Sequence, residues 1–75
     1  MSNLSPEKVA GNALRKLIKD NYSSQEDFAW DYGLELRTVS RYVNNGISKL
    51  AVVDELATFF GITWEEFLNL GKEDN

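Results

Sequence analysis

The segment Ser24-Gln25-Glu26-Asp27-Phe28-Ala29-Trp30-Asp31-Tyr32-Gly33-Leu34-Glu35-Leu36-Arg37-Thr38-Val39-Ser40-Arg41 constrains the fold of this chain more than any other. Ser24 followed by Asp27 resembles a capping box and opens a helix. Within that helix Phe28, Ala29 and Tyr32 recur at helical spacing and face inward. Gly33 ends it, because the residue just beyond a helix often takes a positive φ that glycine adopts freely. A further helix follows at once, with Arg37 and Arg41 four apart and therefore on the same face.

The same punctuation divides the rest of the chain. Ser5-Pro6 is a helix start, since proline's missing N–H costs nothing at the first helical position. Val9, Ala13, Leu14, Leu17 and Ile18 then predict an amphipathic helix to about Asp20. The third helix runs from about Glu35 to Asn44 with Val39, Tyr42 and Val43 apolar, and Asn44-Asn45-Gly46 terminates it. Ser48 is read as the cap of a fourth helix carrying Leu50, Val53, Leu56, Ala57 and Phe60, closed by Gly61. Thr63 and Glu66 form a second capping box, starting a fifth helix with Phe67 and Leu68 buried and Gly71 as its stop. No alternating strand pattern and no internal repeat interrupts this order. The expected architecture is all-α, one compact domain over residues 1–75, with frayed ends at about 1–4 and 72–75.

Composition removes most other classes. A chain of 75 residues with 43% hydrophobic and 12% aromatic content has enough for one core and too much for disorder. It holds no cysteine and no histidine, which excludes disulfide scaffolds, common zinc sites and Cys–His or Ser–His catalysis. Asp54/Glu55 and Glu65/Glu66 are neighbours in sequence, so they diverge on a helix and make poor acid–base pairs or metal cages. An enzyme is not expected, nor a metal or other cofactor. No leader pattern opens the chain and no apolar run reaches membrane-spanning length, so a cytoplasmic setting without a membrane partner is expected.

The net charge of −4 argues at first against a polyanionic partner. Its distribution points the other way. Residues 8–49 carry seven basic side chains (Lys8, Arg15, Lys16, Lys19, Arg37, Arg41, Lys49) against five acids, whereas after Lys49 only Lys72 faces six acids. The chain is electrically two-faced, and the local field matters more than the total.

On these residues the chain resembles the Cro/C1-type (XRE) helix-turn-helix family of phage and bacterial repressors. The resemblance spans roughly Gly11 to Leu68. It rests on Leu14-Arg15 in helix one, Ser24-Gln25-Glu26-Asp27-Phe28-Ala29 opening helix two, Gly33 at the turn and Thr38-Val39-Ser40-Arg41 in helix three. Leu56-Ala57, Phe60-Gly61-Ile62-Thr63 and Phe67-Leu68 continue it across the last two helices. It implies a compact five-helix lambda-repressor-like DNA-binding domain with the helix-turn-helix at helices 2–3, about residues 24–44.

In such proteins the third helix lies in the major groove and its outward side chains read base edges. Carried onto this chain, those positions are Leu36, Arg37, Ser40 and Arg41. Arginine donates two hydrogen bonds to guanine, and Leu36 packs on a thymine methyl. Gln25, at a helix N-terminus, corresponds to the family's phosphate-binding glutamine. Thr38, Asn44, Asn45 and Lys49 are further expected backbone contacts. The resemblance implies a transcriptional regulator, by default a repressor, binding double-stranded operator DNA as a homodimer. The dimer contact is expected on the C-terminal helix at Trp64, Phe67, Leu68 and Leu70.

The chain departs from the family pattern in places. Ile18 and Val43 stand where the family usually has an arginine and a glutamate that pair in the core, and two apolar residues there are expected to touch. Glu35 replaces the usual serine or threonine cap beside a phosphate. Trp30 occupies a position usually polar and exposed, and is expected to lie against helix one or a loop in preference to a partner. Tyr22, Phe59 and Leu70 are expected to be partly exposed. The bland reading of Arg37 is a surface pair with Glu35 or Asp31, worth about 0–1 kcal/mol. The rival reading of the whole chain is a protein-binding module on the same scaffold, antirepressor or antitoxin-like, using Trp30 or the C-terminal helix.

Overall fold

The computed structural model describes residues 5–72 and shows five helices: α1 (Pro6–Asn21), α2 (Gln25–Tyr32), α3 (Leu36–Asn45), α4 (Leu50–Phe59) and α5 (Trp64–Lys72). The caps act where local chemistry places them. Ser5 Oγ accepts from the Lys8 N–H at 3.2 Å, with Pro6 in the first turn of α1. Ser24 Oγ accepts from the Asp27 N–H at 3.0 Å. At α5 the box is reciprocal: the Thr63 N–H donates to Glu66 Oε1 at 2.9 Å and the Glu66 N–H to Thr63 Oγ1 at 3.1 Å. Gly33 ends α2 in the left-handed region at φ 94°, where its N–H donates to Ala29 O.

Two boundaries differ from expectation. Ser48 does not cap α4; Lys49 holds the cap position and no side chain hydrogen-bonds that N-terminus. Gly71 does not stop α5 but is a buried residue inside it. Its missing side chain lets α5 lie on α1, since a Cβ there would sit 1.9 Å from Val9 O. Lys72, expected in the frayed end, is the last residue of α5, and the rest of the expected frayed ends, residues 1–4 and 73–75, lies outside the described residues.

Helix α1 is the hub, packing on both α5 and α3. Phe28, Phe67, Leu14, Leu56 and Val39 are fully buried, and no buried polar side chain in the described residues lacks a partner. Ile18 and Val43 both enter this core. Phe28 is ringed by Tyr22, Tyr32, Phe59 and Phe60 with centroids 5.3–6.1 Å away, in stacked and edge-on geometries. Such pairs contribute about 0.5–1.5 kcal/mol each beyond area burial.

The register of α3 on α1 depends on backbone contact. A Cβ on Gly11 would stand 2.5 Å from Tyr42 O, and one on Gly46 would stand 2.6 Å from Glu7 O. Between them the Ile47 N–H donates to Glu7 O at 3.0 Å, and Ile47 itself is buried although it belongs to the loop. Lys8 Nζ donates to Asn44 O at 3.0 Å, placing a cation at the negative end of α3. The result is a body of 35 × 22 × 22 Å. No helix among the described residues is long and apolar enough to cross a membrane.

Candidate functional site

Helix α3 buries Val39 and Val43 and leaves Leu36, Arg37 and Arg41 exposed. This follows from spacing: on a 3.6-residue period Arg37 and Arg41 lie opposite Val39 and Val43, while Leu36 and Ser40 flank the buried side. Neither Arg37 nor Arg41 forms an ion pair or hydrogen bond with another described residue, so the local pairing of Arg37 with Glu35 or Asp31 is absent. Both guanidinium groups keep all their donors available to a ligand.

Ser40, half-buried, donates its hydroxyl to Gln25 Oε1 at 3.2 Å. That bond ties the N-terminus of α2 to the middle of α3 and occupies the acceptor end of the Gln25 side chain. The amide nitrogen is thereby left as a donor beside the Gln25 and Glu26 N–H groups, the Asp27 N–H being capped by Ser24. Thr38 is half-buried and its backbone N–H closes the first turn of α3 onto Glu35 O at 3.0 Å. Of the residues expected to contact DNA, Gln25, Thr38 and Ser40 are half-buried and the others exposed.

Farther along, Arg41, Asn45 and Lys49 line one groove of about 430 Å³ with Glu7, Tyr42 and Ser48. Asn44, also exposed, stands at the same end of α3, its carbonyl held by Lys8. The N–H groups of Leu50 and Ala51 open α4 without a capping side chain, adding positive partial charge near Lys49. Tyr42, Ser48, Lys8 and Glu7 were not singled out from the sequence as site residues. Glu7 and Lys8 come from α1, and only the approach across Gly11 and Gly46 brings them here. The whole surface is thus a strip: Gln25 at one end, Leu36, Arg37 and Arg41 in the centre, Asn44, Asn45 and Lys49 at the other. Glu35 and Glu7 are acids within it, Glu35 at the N-cap of α3 with no cap hydrogen bond of its own.

The expected contact face on α5 changes. Phe67 is fully buried in the core and cannot form a surface, and Leu68 and Leu70 are half-buried against it. The reason is the close approach of α5 to α1, which turns that side of α5 inward. Trp64 is 47% exposed and stands in a shallow apolar depression with Leu50, Ala51 and Asp54. Leu50, expected among the apolar positions of α4, is 67% exposed.

Trp30 is also corrected: it is 89% exposed and packs on neither α1 nor a loop. Tyr22, half-buried, donates its hydroxyl to Asp31 Oδ2 at 2.6 Å, and this bond with the neighbouring carboxylate raises the phenol above its ordinary value. Burial, with Glu55 nearby, raises Tyr32 as well.

Comparison of the chain with protein-family models, with curated proteins and with solved structures gives no match.

Proposed function

We propose that this chain is a sequence-specific DNA-binding transcriptional regulator of the Cro/C1 helix-turn-helix type, with α2 and α3 as the helix-turn-helix and α3 as the element that enters the major groove. The observation that carries the reading is the state of Arg37 and Arg41. They lie four residues apart on the exposed face of α3, without an internal partner among the described residues, while the opposite face is anchored in the core. Two rigidly presented, unpaired guanidinium groups suit bidentate contact with guanine O6 and N7, each worth about 1–3 kcal/mol of discrimination.

In this arrangement Gln25 donates to a phosphate at one edge, held in place by Ser40. Asn44, Asn45 and Lys49 meet the backbone at the other edge, near the uncapped start of α4. Leu36 packs on a thymine methyl. One module covers little DNA, so a specific site takes two copies about a two-fold axis. The exposed Leu50 and Trp64 supply the contact, with the half-buried Leu68 beside them. Occlusion of polymerase is the default consequence. Glu7 and Glu35 and the few cations weaken each module, which makes pairing of modules more important.

The test is a salt titration of the full chain on random DNA and on sequences selected from a random pool. The reading requires affinity that falls steeply with salt, and selected sites bound well above random ones. Arg37→Ala and Arg41→Ala should each weaken selected DNA by about 1–3 kcal/mol and relax preference at one position. No binding at low salt, with a protein partner captured instead, would overturn it in favour of a protein-binding module.

A further inference from the structure

Helix α2 presents two unlike faces. Phe28 and Ala29 are fully buried and Tyr32 half-buried against the core, while Trp30 stands 89% in solvent on the other side. It is the most exposed of the large apolar side chains among the described residues. Glu26 and Asp27 precede it by four and three residues, which puts them on its face of the helix, and Asp31 adjoins it. All three acids are exposed, and Gln25–Tyr32 contains no cation. Two of the carboxylates are also fixed in place. Asp27 accepts from the Ser23 hydroxyl, and Asp31 Oδ2 accepts from the Tyr22 hydroxyl at 2.6 Å. A bare indole thus sits inside a preorganised anionic frame.

The chemistry of this frame decides its occupant. Phosphate is repelled by three carboxylates, so the face does not serve nucleic acid. A second copy placed face to face about a two-fold axis would set the same acids against each other. A guanidinium fits both parts at once: it stacks on the indole and donates in a fork to a carboxylate, which ammonium does less well. We propose that the outer face of α2, centred on Trp30 and framed by Glu26, Asp27 and Asp31, docks a protein segment that presents arginine. Tryptophan is among the residues that most often dominate such contacts. This inference stands independently of DNA binding by α3, since the two faces share no side chain.

The probe is a short, capped arginine–alanine peptide, with the same peptide carrying citrulline in place of arginine as its neutral counterpart. It is titrated into the full-length, ¹⁵N-labelled protein, and the indole N–H of Trp30 is followed against that of Trp64. The expected result is a saturable shift at Trp30, with the citrulline peptide about two- to fivefold weaker. Trp30→Ala should abolish specific binding and Glu26→Lys should weaken it; both positions are exposed, so the fold persists, as the unchanged remaining amide spectrum will show. The proposal is overturned if arginine and citrulline peptides bind alike, or if Trp30→Ala leaves the affinity unchanged. It is also overturned if the shifts centre on Glu65 and Glu66, or if Trp30 proves to be occupied by a second copy.

Discussion

Replacing Gly11 by alanine should destabilise this protein, although on helix propensity alone it should help. Gly11 lies in the interior of α1, where alanine is favoured over glycine by about 0.5–1 kcal/mol. In the fold, the added methyl would stand 2.5 Å from the Tyr42 carbonyl oxygen and 3.2 Å from the Gly46 Cα, where ordinary contact begins at 3.4 Å. Neither neighbour is a flexible side-chain end. Relief therefore requires α3 to move away from α1 by most of an ångström, loosening Val39 and Val43 against the core and stretching the Ile47–Glu7 and Lys8–Asn44 hydrogen bonds. Overpacking of this kind costs about 1–3 kcal/mol, so the net loss is about 1–2 kcal/mol. For a domain of this size that lowers Tm by roughly 5–15 °C. Thermal and urea unfolding followed by far-ultraviolet circular dichroism measure it directly. A Gly11→Ala protein as stable as the parent, or more so, would refute the claim that backbone contact sets the α1–α3 distance.

Other perturbations test other parts of the same account. Thr63→Ala removes the acceptor for the Glu66 N–H and should cost about 1 kcal/mol in urea unfolding, with α5 amides losing exchange protection first. Phe28→Ala should cost about 3–5 kcal/mol, a large share of the stability of a small domain, and leave a largely unfolded chain by near-ultraviolet dichroism. Tyr22 and Tyr32 have folded values raised above the unfolded one, so their contribution is complete below about pH 10 and is lost as pH rises through the folded value. The urea midpoint should accordingly fall on the alkaline side, and Tyr22→Phe should lessen that fall while losing about 0.5–1.5 kcal/mol at neutral pH with the Asp31 hydrogen bond.

How much of this was legible in the chain varies from residue to residue. The starts of α1, α2 and α5 were, because Ser5, Ser24 and the Thr63–Glu66 pair act on N–H groups three residues away, and the exposure of Arg37 and Arg41 opposite Val39 follows from helical period alone. The groove beside Arg41 was not, since Glu7 reaches it only through the fold. Trp30 looked like a packing residue because indoles usually find cover. The usual exposure of that position in the resembled family was the one contrary signal, and among the described residues no other helix covers it.

The amino-acid sequence by itself determined five helices in this order, since caps and helical period are short-range physics that each segment carries with it. Only the tertiary structure decided that Gly71 continues α5 instead of ending it, that Leu50 and Trp30 face solvent, and that Ile47 is buried in a loop. These outcomes turn on which backbone lies within van der Waals reach of which, as Gly71 on Val9 and Gly11 on Tyr42 show. Such contacts join residues thirty or more positions apart, and no local pattern encodes them.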